Sequence, residues 1–399
     1  MAGLLSKERI IAPADYNRWR VPVASVAIHL CIGSVYAWSI YNPPLTRVYG
    51  VVTSAADDWS LSAVVWVFTV AIVSLGLAAA FAGKWLEEAG PRKVGVVAAC
   101  CWGGGYIVGA AGILTHQLWL LYLGYGVIGG VGLGMGYVSP VSTLIRWFPD
   151  RRGMATGMAI MGFGGGAMIG TPLKEFFIRT FYQAPEYLGA ATDVNLVTEA
   201  GRRFAEVSGT LREVVVVGAT EVRDMTVPGP EGVYVVETGA AGVAEAFLVL
   251  GLIYLVVMLL AAFSYRIPAE GWKPAGWEEP SEEERGALIS SHNVHIDEAL
   301  KTRQFYQLWI VLCFNVTAGI GVLGVARTMI TEIFGSSLPQ VVDTAFAATY
   351  VVMISAFNMV GRFIWASTSD YIGRRTTYWI FFALGIVLYL SVPITAQQV

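Results

Sequence analysis

The stretch Gly361–Arg375 reads GRFIWASTSDYIGRR and lies late in the chain, between two long apolar segments. Near its end, Asp370 is followed three residues later by Gly373, and two arginines come next. An earlier stretch, Gly83–Lys93 (GKWLEEAGPRK), has the same pattern and also separates two apolar segments. An acidic residue, a glycine and then bases, repeated in two halves of an apolar chain, predict two equivalent short loops between membrane helices.

The composition of the 399 residues is that of a membrane protein, since 55% are hydrophobic and only 14% are charged. Soluble domains have about 25% charged residues. Apolar segments of about 20 residues recur along the chain, and each is long enough to cross a hydrocarbon core of about 30 Å. We therefore predict an all-α polytopic membrane protein.

The apolar segments define the expected organisation of the chain. We predict nine membrane spans, at roughly Val21–Tyr41, Leu61–Ala82, Val94–Leu114, Leu118–Ile145, Met154–Ile178, Val243–Tyr265, Tyr306–Met329, Thr344–Ser367 and Thr376–Ile394. The expected units are residues 1–180 with helices 1–5, an insert at 181–240, helix 6 at 241–265, a linker at 266–305, and residues 306–399 with helices 7–9.

The bases in the short loops predict the orientation, because cytoplasmic loops are rich in lysine and arginine. With a cytoplasmic N terminus, the short loops on the other side keep only Arg47 and Arg327. The cytoplasmic segments then hold Lys7, Arg9, Arg18, Arg20, Lys84, Arg92, Lys93, Arg146, Arg151, Arg152, Arg374 and Arg375. We expect a multi-pass protein of the plasma (inner) membrane with its N terminus in the cytoplasm.

In this orientation the insert Phe181–Ala240 is extracytoplasmic. Its segments Arg212–Val222 and Gly232–Thr238 are rich in valine and are separated by a Pro-Gly-Pro-Glu-Gly turn. They predict a small β-hairpin cap. Elsewhere, glycines crowd spans 4 and 5, which predicts close helix packing; a sliding interface and a static one are both compatible with it.

Arg362 is the most informative residue, because a charge inside a span costs roughly 2.5–3.5 kcal/mol on insertion scales. Its apolar neighbours supply no carboxylate. A guanidinium can pair bidentately with a carboxylate, so Arg362 predicts an anion-binding site. In the alternative interpretation Arg362 snorkels to the cytoplasmic face, although it lies about 12 Å deeper than Asp370.

Other polar and aromatic side chains in the spans are candidates for a substrate pocket. Asn358 lies four residues before Arg362 and therefore on the same helical face. His29 is the candidate for proton coupling, and packing explains it equally well. The further candidates are Tyr36, Trp38, Tyr137, Phe163 and Asn315.

No catalytic triad, metal-ligand spacing or P-loop is recognisable, so we expect no enzyme, no metal site and no cofactor. Residues 162–167 (GFGGGA) superficially match a dinucleotide fingerprint, but that motif needs a βαβ unit. The expected partners are a small carboxylate anion, a counter-transported anion or a proton, and the lipid bilayer, but no nucleic acid.

Several motifs resemble those of the oxalate/formate antiporter family, within the major facilitator superfamily. The two loops resemble those after helices 2 and 8 of the superfamily. The motifs of the narrower family are Gly33–Leu45 (GSVYAWSIYNPPL), Gly136–Gly157 (GYVSPVSTLIRWFPDRRGMATG), Gly271–Trp277 (GWKPAGW) and Phe305–Gly324. The resemblance implies a secondary transporter of small mono- or dicarboxylates, of oxalate, formate, lactate or pyruvate type, which works by alternating access.

The resemblance also implies roles for single residues. The family's substrate arginine of helix 8 falls on Arg362, and its pocket tyrosines of helices 1 and 4 fall on Tyr36 and Tyr137. Phe163 stands where oxalate-carrying members have tyrosine, which favours a less polar monocarboxylate. The implied fold has twelve helices, of which this sequence has nine, without the helix that bears a second substrate cation. We favour an incomplete transporter sequence; the alternatives are an inactive remnant and a receptor or sensor for a small anion.

The two loops are expected to act as gates. Pseudo-twofold symmetry places the second loop against helix 5, so Asp370 should lie near Arg152–Gly157 when the cytoplasmic side is closed. A helix N terminus favours a carboxylate. The counterpart, Glu87, is expected to pair with helix 11. The candidate gating residues are Gly83, Glu87, Gly90, Arg92, Arg152, Asp370, Gly373, Arg374 and Arg375.

Overall fold

A computed structural model describes residues 3–222, 225–278 and 294–396. Within these ranges the chain forms nine long helices, numbered here in chain order. They are α1 (Val21–Gly33), α2 (Leu61–Ala89), α3 (Pro91–Leu114), α4 (Leu118–Trp147), α5 (Arg152–Phe181), α6 (Val243–Ser264), α7 (Arg303–Phe334), α8 (Thr344–Ile372) and α9 (Arg374–Ala396). Each helix coincides with one predicted span, and most extend a few residues beyond it.

In a search limited to the described residues, eight of these helices are long and apolar enough to cross a membrane, with α1 counted together with the 3-10 segments that flank it, as Arg18–Ile40. The exception is α5, because its many glycines lower its mean hydropathy. It is nevertheless 30 residues long, or about 45 Å, and it packs against both α1 and α8. All nine predicted spans are helical, and length and composition together support membrane crossing for eight of them.

α1 changes its geometry before it ends. It continues into a 3-10 segment, Ser34–Ile40, in which Ala37 (φ −93°, ψ 27°) leaves the helical region. The backbone hydrogen-bond ladder of the α-helix is interrupted here, although the segment is buried throughout. We call Ser34–Ile40 the helix-1 break.

The two repeated loops have the same geometry. α2 and α8 are each 29 residues long, and each begins after a residue whose side chain caps the helix, Ser60 and Asp343. α2 ends at Gly90 (φ 81°, ψ 158°) and α8 ends at Gly373 (φ 84°, ψ 153°). Glycine adopts these positive φ angles without steric cost, so the next helix can start at the following residue. The sequence repeat is thus a structural repeat of α2–α3 in α8–α9.

Glycines allow α5 to approach both of its neighbours at backbone distance. On one side, a Cβ added at Gly166 would overlap the backbone of Gly33 in α1. On the other side, a Cβ added at Gly164 would lie 3.0 Å from both Arg362 Cδ and Asn358 Oδ1 in α8. The glycine-rich sequence of α5 therefore brings α1 and α8 together around one helix.

The insert forms a five-stranded antiparallel sheet that contains the predicted hairpin. The strand order is β1-β5-β4-β3-β2. The strands are β1 (Tyr187–Gly189), β2 (Leu196–Glu199), β3 (Arg202–Val207), β4 (Thr210–Val217) and β5 (Gly232–Val235). The predicted pairing is present in β4 and β5, but β4 ends at Val217 and residues 219–222 form a helical turn. β2 and β3 escaped prediction because they are largely exposed and charged, so they lack an apolar pattern.

The sheet is attached to the segment between α1 and α2. Arg202 donates hydrogen bonds to both carboxylate oxygens of Asp57, at 2.6 and 2.7 Å, which lowers the pKa of that carboxyl below its ordinary value. The amide of Glu237 donates to the carbonyl of Tyr49 at 3.0 Å. We call this end of the bundle the sheet end, and the opposite end, with Gly90 and Gly373, the loop end.

The N-terminal segment and the start of the linker cover part of the loop end. The amide of Ala12 donates to the carbonyl of Ile267 at 2.9 Å, and the indole N–H of Trp147 donates to the carbonyl of Arg266 at 2.9 Å. Trp272 packs on Trp147, with ring centroids 4.9 Å apart. Residues 279–293 of the predicted linker lie outside the described residues, and Ile296–Ala299 form a short helical turn before α7.

Candidate functional site

Arg362 lies half-buried in α8 and faces α1 and α5. Its Nε donates to Asn358 Oδ1 at 2.7 Å, one helical turn earlier, and its Nη2 donates to the Tyr36 hydroxyl at 3.2 Å. Among the described residues, no carboxylate forms an ion pair with it. A guanidinium has five N–H donors, so most of its donor capacity remains for an anion.

Two aromatic rings flank this guanidinium, and a third packs behind them. Its central carbon lies 5.7 Å from the ring centroid of Phe163 and 6.0 Å from that of Tyr36. The Tyr36 and Phe163 rings pack edge to face at 4.8 Å, and Tyr137 contacts Phe163 at 5.2 Å. Cation–π contacts of this kind stabilise a cation in a site with little water. Five predicted site residues, from the helix-1 break, α4, α5 and α8 and including Asn358, thus lie together.

His29 lies beneath these rings and is fully buried. Its Nδ1 contacts the carbonyl oxygen of Ala159, and its Nε2 lies 3.2 Å from the carbonyl oxygen of Tyr137. Both ring nitrogens therefore face the backbone of neighbouring helices. His29 thus contacts α4 and α5 next to the pocket, and a neutral imidazole, with one N–H, donates to one of these two carbonyls.

Ser355, one turn before Asn358, binds directly to the backbone of α5. Its hydroxyl accepts a hydrogen bond from the amide of Met168 and donates one to the carbonyl of Gly164, both at 2.8 Å. In a regular helix this amide and this carbonyl would bond to each other. The hydroxyl of α8 is therefore inserted into the hydrogen-bond ladder of α5, beside Arg362. Sequence analysis did not single out Ser355, because a serine in a membrane helix usually bonds within its own helix.

Two predicted pocket residues lie elsewhere. Trp38 is fully buried among Tyr41, Tyr125 and Phe247, with ring centroids 4.6–6.4 Å apart, away from Arg362. Asn315 lies on an exposed part of α7. The sequence of a span shows that an aromatic or amide side chain is present but not which way it points. For Trp38, the helix-1 break also turns successive side chains toward different neighbours.

At the loop end, Asp370 caps α5. Its Oδ1 accepts from the amide of Gly153 and its Oδ2 accepts from the amide of Met154, both at 2.9 Å. Arg374 pairs with the same carboxylate at 2.7 Å. The first amides of a helix have no partner within the helix and carry partial positive charge, so a carboxylate is stabilised there. Asp370 thus lies against the start of α5, within the predicted segment Arg152–Gly157.

The first loop makes different contacts. Glu87 pairs with Arg146 of α4, and its carbonyl accepts from Lys7 at 2.7 Å. Arg92 is buried and donates to the carbonyls of Phe263 and Tyr265, at 2.9 and 3.4 Å. The first loop is therefore tied to α4, to α6 and to the N-terminal segment. Of the remaining candidates, Gly83 has open space around it, and Arg152 and Arg375 are exposed.

At the sheet end, α5 contacts α7. Glu175 Oε1 lies 3.5 Å from Arg327 Nη1, and Asn42 donates to the carbonyl of Gly324 at 3.5 Å. Arg327 was predicted in a short outer loop; it lies instead inside α7, because this helix extends to Phe334. α5 is therefore bound to α8 at one end and to α7 at the other.

A repeated helix–loop–helix unit in a membrane bundle is typical of secondary transporters, many of which are built from internal repeats. The chain belongs to the Major Facilitator Superfamily, whose sequence model matches residues 24–192 and 237–399. The residues between the two matches, 193–236, lie in the sheet insert. The membership predicted from the two loops is thereby confirmed.

Individual relatives are similar over nearly the whole chain. The apicoplast pyruvate carrier 1 of Toxoplasma gondii is 24% identical over 424 residues, which cover 94% of this chain and 71% of that protein. The oxalate:formate antiporter of Oxalobacter formigenes is 25% identical over 385 residues, 95% of this chain and 70% of that one. A partially occluded inward-open structure of the xylose transporter XylE from E. coli is 13% identical, with a TM-score of 0.48, and covers 90% of this chain and 74% of its own.

Proposed function

We propose that the protein is a secondary carrier of small carboxylates and that Arg362 binds the carboxylate. The observation that carries this proposal is the half-buried guanidinium, held by Asn358 and Tyr36 and without an ion-pair partner in the described part of the chain. A buried cation without a counter-ion is costly, and an anionic substrate would relieve that cost. The similarity to a pyruvate carrier and to an oxalate:formate antiporter supports the same substrate class.

The pocket favours a monocarboxylate over oxalate. Phe163 presents a ring without a hydroxyl next to Arg362. The ring of Phe163 itself packs on the rings of Tyr36 and Tyr137. A second carboxylate would need donors that Phe163 does not supply, whereas a methyl or hydrogen would pack on the rings. Pyruvate, lactate and formate are therefore the preferred candidates, ahead of oxalate.

The contacts of α5 suggest how such a carrier would alternate its access. Asp370 binds α5 at the loop end, and Arg327 binds it at the sheet end. If α7 and α8 rock against α5, opening a path at one end breaks the contact there. We propose that the Asp370 contact closes the loop end, with Arg374 as its neighbouring charge.

We also propose that the loop end is cytoplasmic, together with the N terminus, and that the protein resides in the plasma (inner) membrane. The bases of both loops and of the N-terminal segment support this orientation. The sheet would then lie outside the cell or in the periplasm.

Uptake into proteoliposomes tests the proposal. The full chain would be reconstituted, and labelled pyruvate, lactate, formate and oxalate would be offered with and without an unlabelled internal pool and with and without a proton gradient. We expect saturable uptake of at least one monocarboxylate. Acceleration by the internal pool alone indicates exchange, and acceleration by an inward proton gradient indicates symport. Pyruvate binding without uptake would contradict transport and would indicate a sensor.

A further inference from the structure

Lys174, in α5, is fully buried, and sequence analysis did not select it. Its Nζ donates to the carbonyl of Ser34 at 2.8 Å and to the carbonyl of Ala37 at 3.1 Å. The ammonium also lies over the ring of Tyr41, 4.3 Å from its centroid. It lies only four residues before the predicted end of span 5, at Ile178. A lysine at 0% exposure requires an explanation.

An ion pair does not explain this burial. Within the described residues, no carboxylate pairs with Lys174, and its neighbour Glu175 pairs with Arg327 instead. The lysine is also remote from Arg362, because it lies eleven residues after Phe163, or about 16 Å further along α5. It therefore does not touch a carboxylate bound at Arg362.

The two carbonyls that Lys174 binds belong to the helix-1 break. Where a buried helix loses its regular ladder, free backbone groups need other partners, because no water is present to bind them. Ser34 and Ala37 stand on either side of Tyr36 in the chain, and the hydroxyl of Tyr36 accepts the hydrogen bond from Arg362. The lysine thus fixes the backbone on both sides of a residue that touches the arginine.

We propose that Lys174 is a positioning residue that holds the helix-1 break in the geometry in which Tyr36 meets Arg362, and so sets the affinity for the carboxylate. This inference rests on the proposed function. The ammonium supplies the donors that the break needs, and the ring of Tyr41 stabilises its charge.

The test combines two readouts in reconstituted full-length protein. Hydrogen exchange of a peptide covering residues 34–40 reports on the break without any substrate, and a peptide from α3 serves as the internal reference. Pyruvate uptake gives KM and the maximum rate separately. The variants are Lys174→Met, Lys174→Arg and Tyr36→Phe, with the double variant of Lys174→Met and Tyr36→Phe. The matched control is Thr171→Val, at a buried hydroxyl on the same helix that has no partner among the described residues.

We expect Lys174→Met to accelerate exchange in residues 34–40 and to raise KM about tenfold, with little change in the maximum rate. In Lys174→Arg, both the exchange rate of residues 34–40 and KM should be closer to the wild-type values than in Lys174→Met, because arginine keeps the positive charge and two N–H donors for the carbonyls. In the Tyr36→Phe background, Lys174→Met should raise KM no further. Thr171→Val should change neither readout.

Unchanged exchange in Lys174→Met would overturn the inference, as would an unchanged KM or an effect that adds fully to that of Tyr36→Phe. If Lys174→Met does not fold, Lys174→Gln takes its place; its shorter, uncharged side chain keeps an amide donor group, so exchange and KM should change in the same direction but by less. If the wild-type protein takes up none of the four carboxylates, the proposed function fails, while the exchange data still decide whether Lys174 holds the break.

Discussion

The carboxylate of Asp370 lies 2.9 Å from the backbone nitrogen of Gly153 and joins the end of α8 to the start of α5. The second carboxylate oxygen binds the next amide, that of Met154. A negative charge at this position interacts with the partial positive charge of the helix end, which stabilises the contact by about 0.3–2 kcal/mol. This is enough to shift an equilibrium between two states of similar free energy.

Removing this charge should open the loop end. Asp370→Asn keeps the shape of the side chain but loses the charge, so we expect a larger share of molecules with α5 and α8 apart. Spin labels at the start of α5 and the end of α8, in a background without Cys31, Cys100, Cys101 and Cys313, measure the distance.

Glu87→Gln is the matched control for Asp370→Asn, because Glu87 is the equivalent residue of the first loop and pairs with Arg146 of α4. It should leave the distance between α5 and α8 unchanged. An equal shift in the two variants, or no shift in Asp370→Asn, would contradict the gate.

Gly153 should not tolerate a side chain. A Cβ at this position would overlap Asp370 Oδ1 and the carbonyl oxygen of Ala366, and overpacking of this kind typically costs about 1–3 kcal/mol. Gly153→Ala should therefore widen the spin-label distance and lower the thermal stability. Gly361→Ala, on the same helix pair but with nothing within 4 Å of the added carbon, is the control and should be neutral or stabilising. Equal behaviour of the two variants would refute the close contact.

Phe163→Tyr should shift substrate preference toward oxalate. The added hydroxyl can hydrogen-bond a second carboxylate near Arg362, and a neutral hydrogen bond contributes about 0.5–1.5 kcal/mol, or about 2- to 12-fold. The ratio of oxalate to pyruvate uptake measures this effect. Phe177→Tyr, the same change at a ring that packs on Phe176 and Phe181, should leave the ratio unaltered. A ratio unchanged in Phe163→Tyr would mean that this ring does not face the substrate.

The sheet insert should be dispensable for substrate choice. Gln183 and Ala240 exchange backbone hydrogen bonds of 2.9 Å at its base, so a short turn can replace the residues between them. We expect the shortened protein to show lower thermal stability or yield, because Arg202 and Glu237 no longer bind the segment before α2. A changed ranking of carboxylates in uptake assays would show that the insert contributes to selectivity.

The parts of the fold that sequence predicted have local causes. Gly90 and Gly373 end their helices by a backbone conformation that glycine favours, and the acidic residue three positions earlier is part of the same short motif. The contact of Asp370 with α5 also followed from the sequence, because the repeat supplies the symmetry and a helix end attracts a carboxylate. The environment of Arg362 was predictable because few charges are tolerated inside a span.

The parts that sequence missed depend on long-range geometry. Lys174 was not among the sequence candidates, since nothing in its own helix shows that the helix-1 break offers two carbonyls to it. Ser355 has an ordinary sequence context, and its insertion into α5 requires the close approach at Gly164. Trp38 was counted among the pocket candidates although it packs elsewhere, because the sequence of a span does not show the direction in which an aromatic side chain points.

The most direct test of the central claim is pyruvate binding and uptake by variants of Arg362. We expect Arg362→Gln to fold, as judged by thermal stability, and to lose at least about 100-fold in affinity, since removal of one partner of a buried charged pair costs about 3 kcal/mol. Arg362→Lys should recover only part, because an ammonium cannot make the two parallel hydrogen bonds of a guanidinium. Arg303→Gln, at an exposed arginine at the start of α7, should behave as the wild type. Full uptake of pyruvate by Arg362→Gln would contradict the account.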